Sequence, residues 1–191
     1  MVQFIVSPLH GRSVTIGASV AGNGPRVTHG SRVHGPVLPS WRDASGGVHL
    51  VAGSAVGALT PSLPIACAAG IGSHVALDAV PHRDYQTWTA NGIDTVVGLV
   101  VVALFARRLP RRARARAIAG AWAGVMPDIE VVACRAGLLA EEAKRFPTHS
   151  GKVRHGRGGP LSTVILWISA VAGAMFAVRA IRNGACRKTH R

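Results

Sequence analysis

Between Gly72 and Asp84 the chain sets two histidines and two aspartates at the end of an apolar stretch. His74 and Asp78 are four residues apart, so a helix carries both on one face. Pro81 lacks an amide donor and ends a helix near its last turn, which lets His82 and Asp84 fold back towards that face. An imidazole and a carboxylate one turn apart, with a second such pair just beyond, is a grip for a divalent metal. A helix end decorated with solvated polar residues has the same pattern. What separates the two readings is whether other ligand-type side chains arrive at the same place.

The elements that would bring them there are apolar. Hydrophobic residues make up 48% of the 191 and charged residues only 16%, against a usual charged share of about 25%. Aromatics are scarce and Ala, Val and Gly supply the bulk, as in membrane bundles whose helices approach closely. The net charge of +14 comes from 22 Lys and Arg against 8 Asp and Glu. The arginines flank apolar runs, which fits a lipid bilayer as partner better than nucleic acid. Cys67, Cys134 and Cys186 are far apart and odd in number, so no disulfide framework is expected.

The pattern predicts an all-α fold, a small integral-membrane bundle of about five short hydrophobic helices with a polar, metal-type rim. Residues 1–47 are rich in Gly, Ser, Pro, Arg and His without apolar period, and read as a disordered leader in which His10, His29 and His34 have no ligand role. The helical domain is expected over 48–183, with a basic tail over 184–191. Val48–Leu59 and Ile65–Val80 form two short helices around a turn marked by Pro61 and Pro64. Gly92–Ala106 is a third, with Asp94 in its first turn as a cap for that helix, and Arg107–Arg116 is a basic turn. Ala117–Met126 is a fourth, Ile129–Arg145 an amphipathic segment, and Phe146–Pro160 a polar loop. Leu161–Ile181 is about one membrane span long.

If each short helix crosses the layer once, the ligand-type residues meet. His49 starts the first helix, and the second returns His74, Asp78, His82 and Asp84 to that side. Asp94 leaves from it, Asp128 and Glu130 come back to it, and His149 and His155 lie in the following loop. Acids at a membrane are costly unless paired, hydrated or metal-bound. The expected metal positions are therefore His49, His74, Asp78, His82, Asp128 and His149, with Asp84 and Asp94 as weaker members. Zinc is the first expectation for such a set, then manganese or iron. Glu130 is a candidate general base. Arg154 and Arg157, in the Gly-rich Lys152–Gly159 loop, are candidate contacts for a phosphate.

Gly72-Ser73-His74-x-x-Leu77-Asp78, Pro81-His82, Met126-Pro127-Asp128-Ile129 and Thr148-His149-Ser150 together resemble the YdjM-like bacterial membrane-bound proteins, described as metal-dependent hydrolases. The resemblance covers about residues 48–181. It implies His74, Asp78, Asp128, His149 and Glu130 as ligand positions, and a multi-pass protein of the bacterial inner membrane. Two features depart from that family's pattern: the Pro-Asp-Ile and Thr-His-Ser segments follow the Ser-His helix here instead of preceding it, and Glu130 stands where Asp is usual.

The expected function is a membrane-bound, metal-dependent hydrolase acting on an ester or phosphoester at the lipid interface. The alternative is a non-enzymatic membrane protein, an ion carrier or scaffold. Serine-hydrolase, phosphate-binding-loop and dinucleotide motifs are absent from the sequence.

Overall fold

The computed structural model describes residues 4–5, 17–18, 45–82, 85, 87–153, 156 and 158–189, with 4–5, 17–18 and 185–189 as backbone only. The chain divides into two units, Met1–Trp41 and Arg42–Arg191. In the first, the described residues are two short strands, β1 (Phe4–Ile5) and β2 (Gly17–Ala18), paired antiparallel with Phe4 opposite Ala18. The expected disorder of the leader, and His10, His29 and His34, lie outside the described residues.

The second unit is an all-helical bundle. Its described α-helices are α1 (Gly46–Leu59), α2 (Leu63–Ala79), α3 (Trp88–Arg107), α4 (Arg111–Val125), α5 (Asp128–Arg135) and α6 (Pro160–Thr189). Among the described residues a 3-10 turn, Glu141–Ala143, lies between α5 and α6.

α1 is the hub and packs on α2, α3, α4 and α6. It is apolar or small on nearly every side, and a helix of that kind belongs inside. Its neighbours each turn one stripe of small or ligand-type residues inward: Ala66, Gly70, His74 and Asp78 on α2, and Asp94, Gly98 and Val102 on α3. α6 does the same with Leu166, Ala170, Ala174 and Ala177. Their outer faces stay apolar: Ile93, Val96, Val100 and Leu104 on α3, and Leu161, Ile165, Ile168 and Phe176 on α6, are exposed. α3 and residues 160–184 of α6 are long and apolar enough to cross a membrane, and α4 with α5, bent by 45° at their break, make a third if taken as one span.

Glycine sets the closeness of the central packing. Gly53 and Gly57 of α1 face Gly120 and Gly124 of α4, each pair spaced by four, the arrangement that lets two helical backbones touch. A Cβ on Gly120 would stand 2.9 Å from the Gly57 Cα and closer still to the Gly53 carbonyl oxygen. Gly70 of α2 meets the same Gly120 carbonyl, so three helices cross at one glycine.

Several sequence expectations shift. The basic segment is mostly helix: α3 runs to Arg107 and α4 begins at Arg111, since Arg and Ala are good helix formers and Pro110 suits the position before a first turn. Two of its arginines hold the helix ends. Arg114 Nε donates to the Ala106 carbonyl at 3.0 Å, and Arg116 donates to the Ala58 and Pro61 carbonyls, both at 3.3 Å. The amphipathic segment expected over Ile129–Arg145 stops at Arg135. Gly137, at φ 71°, takes the left-handed position of a Schellman cap, with Gly137 N–H on Cys134 and Leu138 N–H on Ala133. α3 starts at Trp88, capped by the Thr87 hydroxyl, which accepts from Ala90 N–H at 3.1 Å, so Asp94 does not cap its own helix. α6 continues to Thr189, so residues 184–189 extend that helix instead of forming a separate tail.

Candidate metal centre

Four segments deliver the site. α1 brings His49 in its first turn, α2 brings His74 and Asp78 in its last two, α5 begins with Asp128, and the loop after the 3-10 turn brings His149. His49, His74, Asp78 and Asp128 retain only 1, 0, 2 and 5% of their surface, too little for water to compensate two carboxylates. They are compensated by one another.

Asp78 is at the centre. Its Oδ1 lies 3.3 Å from His49 Nε2, and its Oδ2 lies 3.1 Å from His74 Nε2 and 3.7 Å from His149 Nε2. Asp128 Oδ1 is 3.8 Å from His74 Nε2 and 3.6 Å from His149 Nε2. The His49 and His74 rings stack with centroids 4.1 Å apart, and Phe146 packs edge-on to His74 at 5.2 Å.

One hydrogen bond fixes the chemistry of His74. Its Nδ1 lies 2.7 Å from the Gly124 carbonyl, which accepts only, so the proton is on Nδ1. That carbonyl is in the last turn of α4, where carbonyls have no further turn of helix to accept from. In the neutral ring Nε2 is then a bare lone pair, and it faces Asp78 Oδ2, Asp128 Oδ1 and, at 3.4 Å, His149 Nε2. Lone pairs converging in this way require a second proton on His74 or a cation among them. His49 Nδ1, His149 Nδ1 and Thr148 Oγ1 are also buried with no hydrogen-bond partner among the described residues. Burial above all, and then the His74 ring, holds the His149 imidazole down to about 4, so it is neutral and able to ligate at physiological pH.

Two sets of ligand atoms, His49–His74–Asp128 and His74–Asp78–His149, are each compact enough to hold a metal ion, and they share His74. Three imidazoles with two carboxylates fit a divalent ion, and the Nδ1–H of His74 on a backbone carbonyl is the outer contact that orients a ligating histidine.

The other expected site residues fall elsewhere. His82 is buried but turns Nδ1 to its neighbour Val80's carbonyl at 2.8 Å, and it belongs to neither set. The Glu130 carboxylate accepts from Arg145 N–H at 3.0 and 3.1 Å and from Phe146 N–H at 2.9 Å, pinning the loop that carries His149. Asp94 instead ties helices together. Its Oδ2 accepts from Gly47 N–H at 2.7 Å, two residues before His49, and its Oδ1 accepts from Tyr85 OH and Trp167 Nε1, both at 2.9 Å. Burial first, and then the Asp94 carboxylate, pushes the Tyr85 hydroxyl up to about 12. Asp84, Arg154, His155 and Arg157 lie outside the described residues. Gly156, between the last three, donates its N–H to the Asp78 carbonyl at 2.7 Å, and Gly158 donates to that of His82 at 2.8 Å.

Sequence reasoning missed the Gly124 carbonyl, since a backbone acceptor has no residue type to read. It also missed Tyr85 and Trp167 as partners of Asp94. The glycine pairs on α1 and α4 were visible in the sequence as two Gly-x-x-x-Gly runs.

No family model matches the chain, and neither a curated protein nor a solved structure gives a match.

Proposed function

We propose that this chain is an integral membrane protein and a divalent-metal-dependent hydrolase whose substrate is an ester or phosphoester at the lipid interface. The observation that carries the reading is the convergence of His49, His74, Asp78, Asp128 and His149, from four separate segments, into two ligand sets that share His74. The apolar outer faces of α3 and α6 support the bilayer setting, and a site at one end of those helices falls at headgroup depth. His74, Asp78, Asp128 and His149 are also the motif positions through which the chain resembles the YdjM-like proteins. On that resemblance it is a divergent relative in a bacterial inner membrane.

His74 with His49 and Asp128, or with Asp78 and His149, would hold an ion, zinc being the best fit to a mixed imidazole and carboxylate set. A bound ion of this kind supplies Lewis acidity towards an ester or phosphoester oxygen and brings the pKa of water to near ~7. The chain does the rest. Gly124 orients His74, Glu130 holds the loop so that His149 reaches Asp78 and Asp128, and Phe146 covers the His74 ring against water. Arg154 and Arg157 flank Gly156, whose amide lies on the Asp78 carbonyl, and are the candidates for drawing in a phosphate. An ion carrier would need polar groups through the depth of the bundle. From the cluster towards the far end the described core is Leu50, Val51, Ala55, Ala58, Val102 and Phe105, with the buried Ser54 hydroxyl of α1 among them.

The test is metal analysis of the detergent-purified full chain, paired with hydrolysis of a chromogenic phosphodiester. We expect bound zinc and activity that chelation removes and zinc restores. Asp78→Ala and His149→Ala should each abolish both, with loss of affinity beyond the ~10–100-fold typical of outer contacts. Purified protein from zinc-supplemented cells that carries no divalent metal would overturn the reading.

A further inference from the structure

At the end of the bundle away from the metal-type cluster, α3 and α6 diverge. Both pack on α1, yet they touch each other little, and a crevice of about 580 Å³ opens between them. That volume is within the ~300–1,000 Å³ range of small-molecule sites. Its walls are apolar, from Val101, Leu104 and Phe105 on one side and Val171, Met175 and Phe176 on the other. Its mouth carries three guanidinium groups, Arg108 after α3 and Arg179 and Arg182 on α6, all exposed.

Those arginines differ from Arg114 and Arg116, whose guanidiniums are occupied by helix-end carbonyls. The guanidiniums of Arg108, Arg179 and Arg182 have no hydrogen bond or ion pair among the described residues. The described acids do not line this crevice: Asp78, Asp94 and Asp128 are at or beside the cluster, and Glu130, Glu141 and Glu142 are in the segment leading to its loop. From Asp94 to Arg108 the chain climbs fourteen helical positions, roughly 21 Å at ~1.5 Å each. Three unpaired cations above an apolar slot are complementary to one chemistry, a phosphate with a hydrocarbon chain attached.

We propose that the α3–α6 crevice is a binding site for an anionic phospholipid, with its phosphate on Arg108, Arg179 and Arg182 and an acyl chain along Val101, Leu104 and Met175. Arginine suits this role because its planar fork takes phosphate oxygens two at a time, while its stem lies on apolar surface. The orientation agrees with the bias that places arginine-rich helix ends in the cytoplasm, on the leaflet where anionic lipids attract basic groups. The site is separate from the metal-type cluster and rests only on the membrane part of the reading above.

The experiment is native mass spectrometry of the detergent-purified full chain given phosphatidylglycerol or phosphatidylcholine with the same acyl chains. We expect retained phosphatidylglycerol, about tenfold or more over phosphatidylcholine, and loss of that preference in the triple variant Arg108→Gln, Arg179→Gln, Arg182→Gln. The matched triple Arg107→Gln, Arg111→Gln, Arg112→Gln removes equal charge outside the crevice and should keep it. Ala172→Trp, which fills the slot and leaves the arginines, should lower retention, while inorganic phosphate should not displace the lipid. Equal losses in both triples would mean diffuse charge attraction, and displacement by phosphate would mean an anion site without a chain. A dimer covering the crevice would give it to a second copy. Each of these outcomes overturns the proposal. Protein that stays in carbonate-washed membranes yet shows no lipid preference removes the crevice alone; recovery in the soluble fraction without detergent removes the membrane reading as well.

Discussion

At one end of the bundle three imidazoles and two carboxylates are pressed together away from water, and at the other Arg108, Arg179 and Arg182 stand exposed without a partner among the described residues. The contrast follows from side-chain reach and desolvation. A short carboxylate fixed to a packed helix cannot move to water, so burying it costs several kcal/mol unless opposing groups surround it. A long guanidinium can lay its stem on apolar surface and keep its charge outside. The fold therefore had to assemble compensation around Asp78 and Asp128, and had no need to do so around the arginines. Compensation built from imidazoles, with one of them oriented through a backbone carbonyl, is the kind a metal uses. Bare guanidiniums above a slot are the kind a phosphate uses.

The largest effect should come from the place that serves both ends. Gly120→Val puts a branched side chain into the Gly53 carbonyl and the Gly57 Cα, where backbone cannot give way. We expect a loss of about 3 kcal/mol or more in detergent melts, with metal content and lipid preference falling together. If only one end suffers, the two are not carried by a common core.

Asp94→Asn should separate the ends. It keeps size but removes the charge that accepts from Gly47 at the start of α1 and from Tyr85 and Trp167. A loss on the order of 2 kcal/mol is expected, with weaker metal binding through displaced His49 and unchanged phosphatidylglycerol retention. Equal stability in the variant, by thermal denaturation, would show that this tie is idle.

Glu130→Gln is milder. It weakens the charge-assisted bonds to Arg145 and Phe146 and should lower zinc affinity by about tenfold in competition with a chelating dye, leaving the fold intact. If Glu130 instead serves as the base, the rate falls and zinc affinity does not move.

The smallest effect concerns pH. The Tyr85 hydroxyl keeps its proton in the folded chain up to about 12, against an ordinary value near ~10. The folded state thus holds a proton that the unfolded state gives up, and this contribution is complete below pH ~10 and fades as the pH rises towards 12. Tyr85→Phe should flatten that alkaline loss while costing about 1 kcal/mol at neutral pH for the lost hydrogen bond to Asp94, and thermal midpoints from neutral into the alkaline range would show both. A carbonate wash near pH ~11 falls inside this window, so the comparison must be made with the variant alongside.

Composition and pattern by themselves determine that the second unit is helical, where its apolar runs start, and which ligand-type residues can share one side. Periodicity carries that information because a helix face depends only on neighbours three and four residues away. The sequence also shows the close packing, in the two Gly-x-x-x-Gly runs, though not which helices they join. Tertiary structure alone decides the functions of individual polar side chains. Asp94, Asp128 and Glu130 are all carboxylates within the first two turns of a helix, and residue type alone does not separate them. Asp94 became a tie because Gly47, Tyr85 and Trp167 lie around it, Glu130 a clamp because the loop amides of Arg145 and Phe146 reach it, and Asp128 a ligand candidate because His74 and His149 face it. Those neighbours come from positions up to 73 residues away, and a carboxylate's role is set by the donors it meets, not by the residues beside it in the chain.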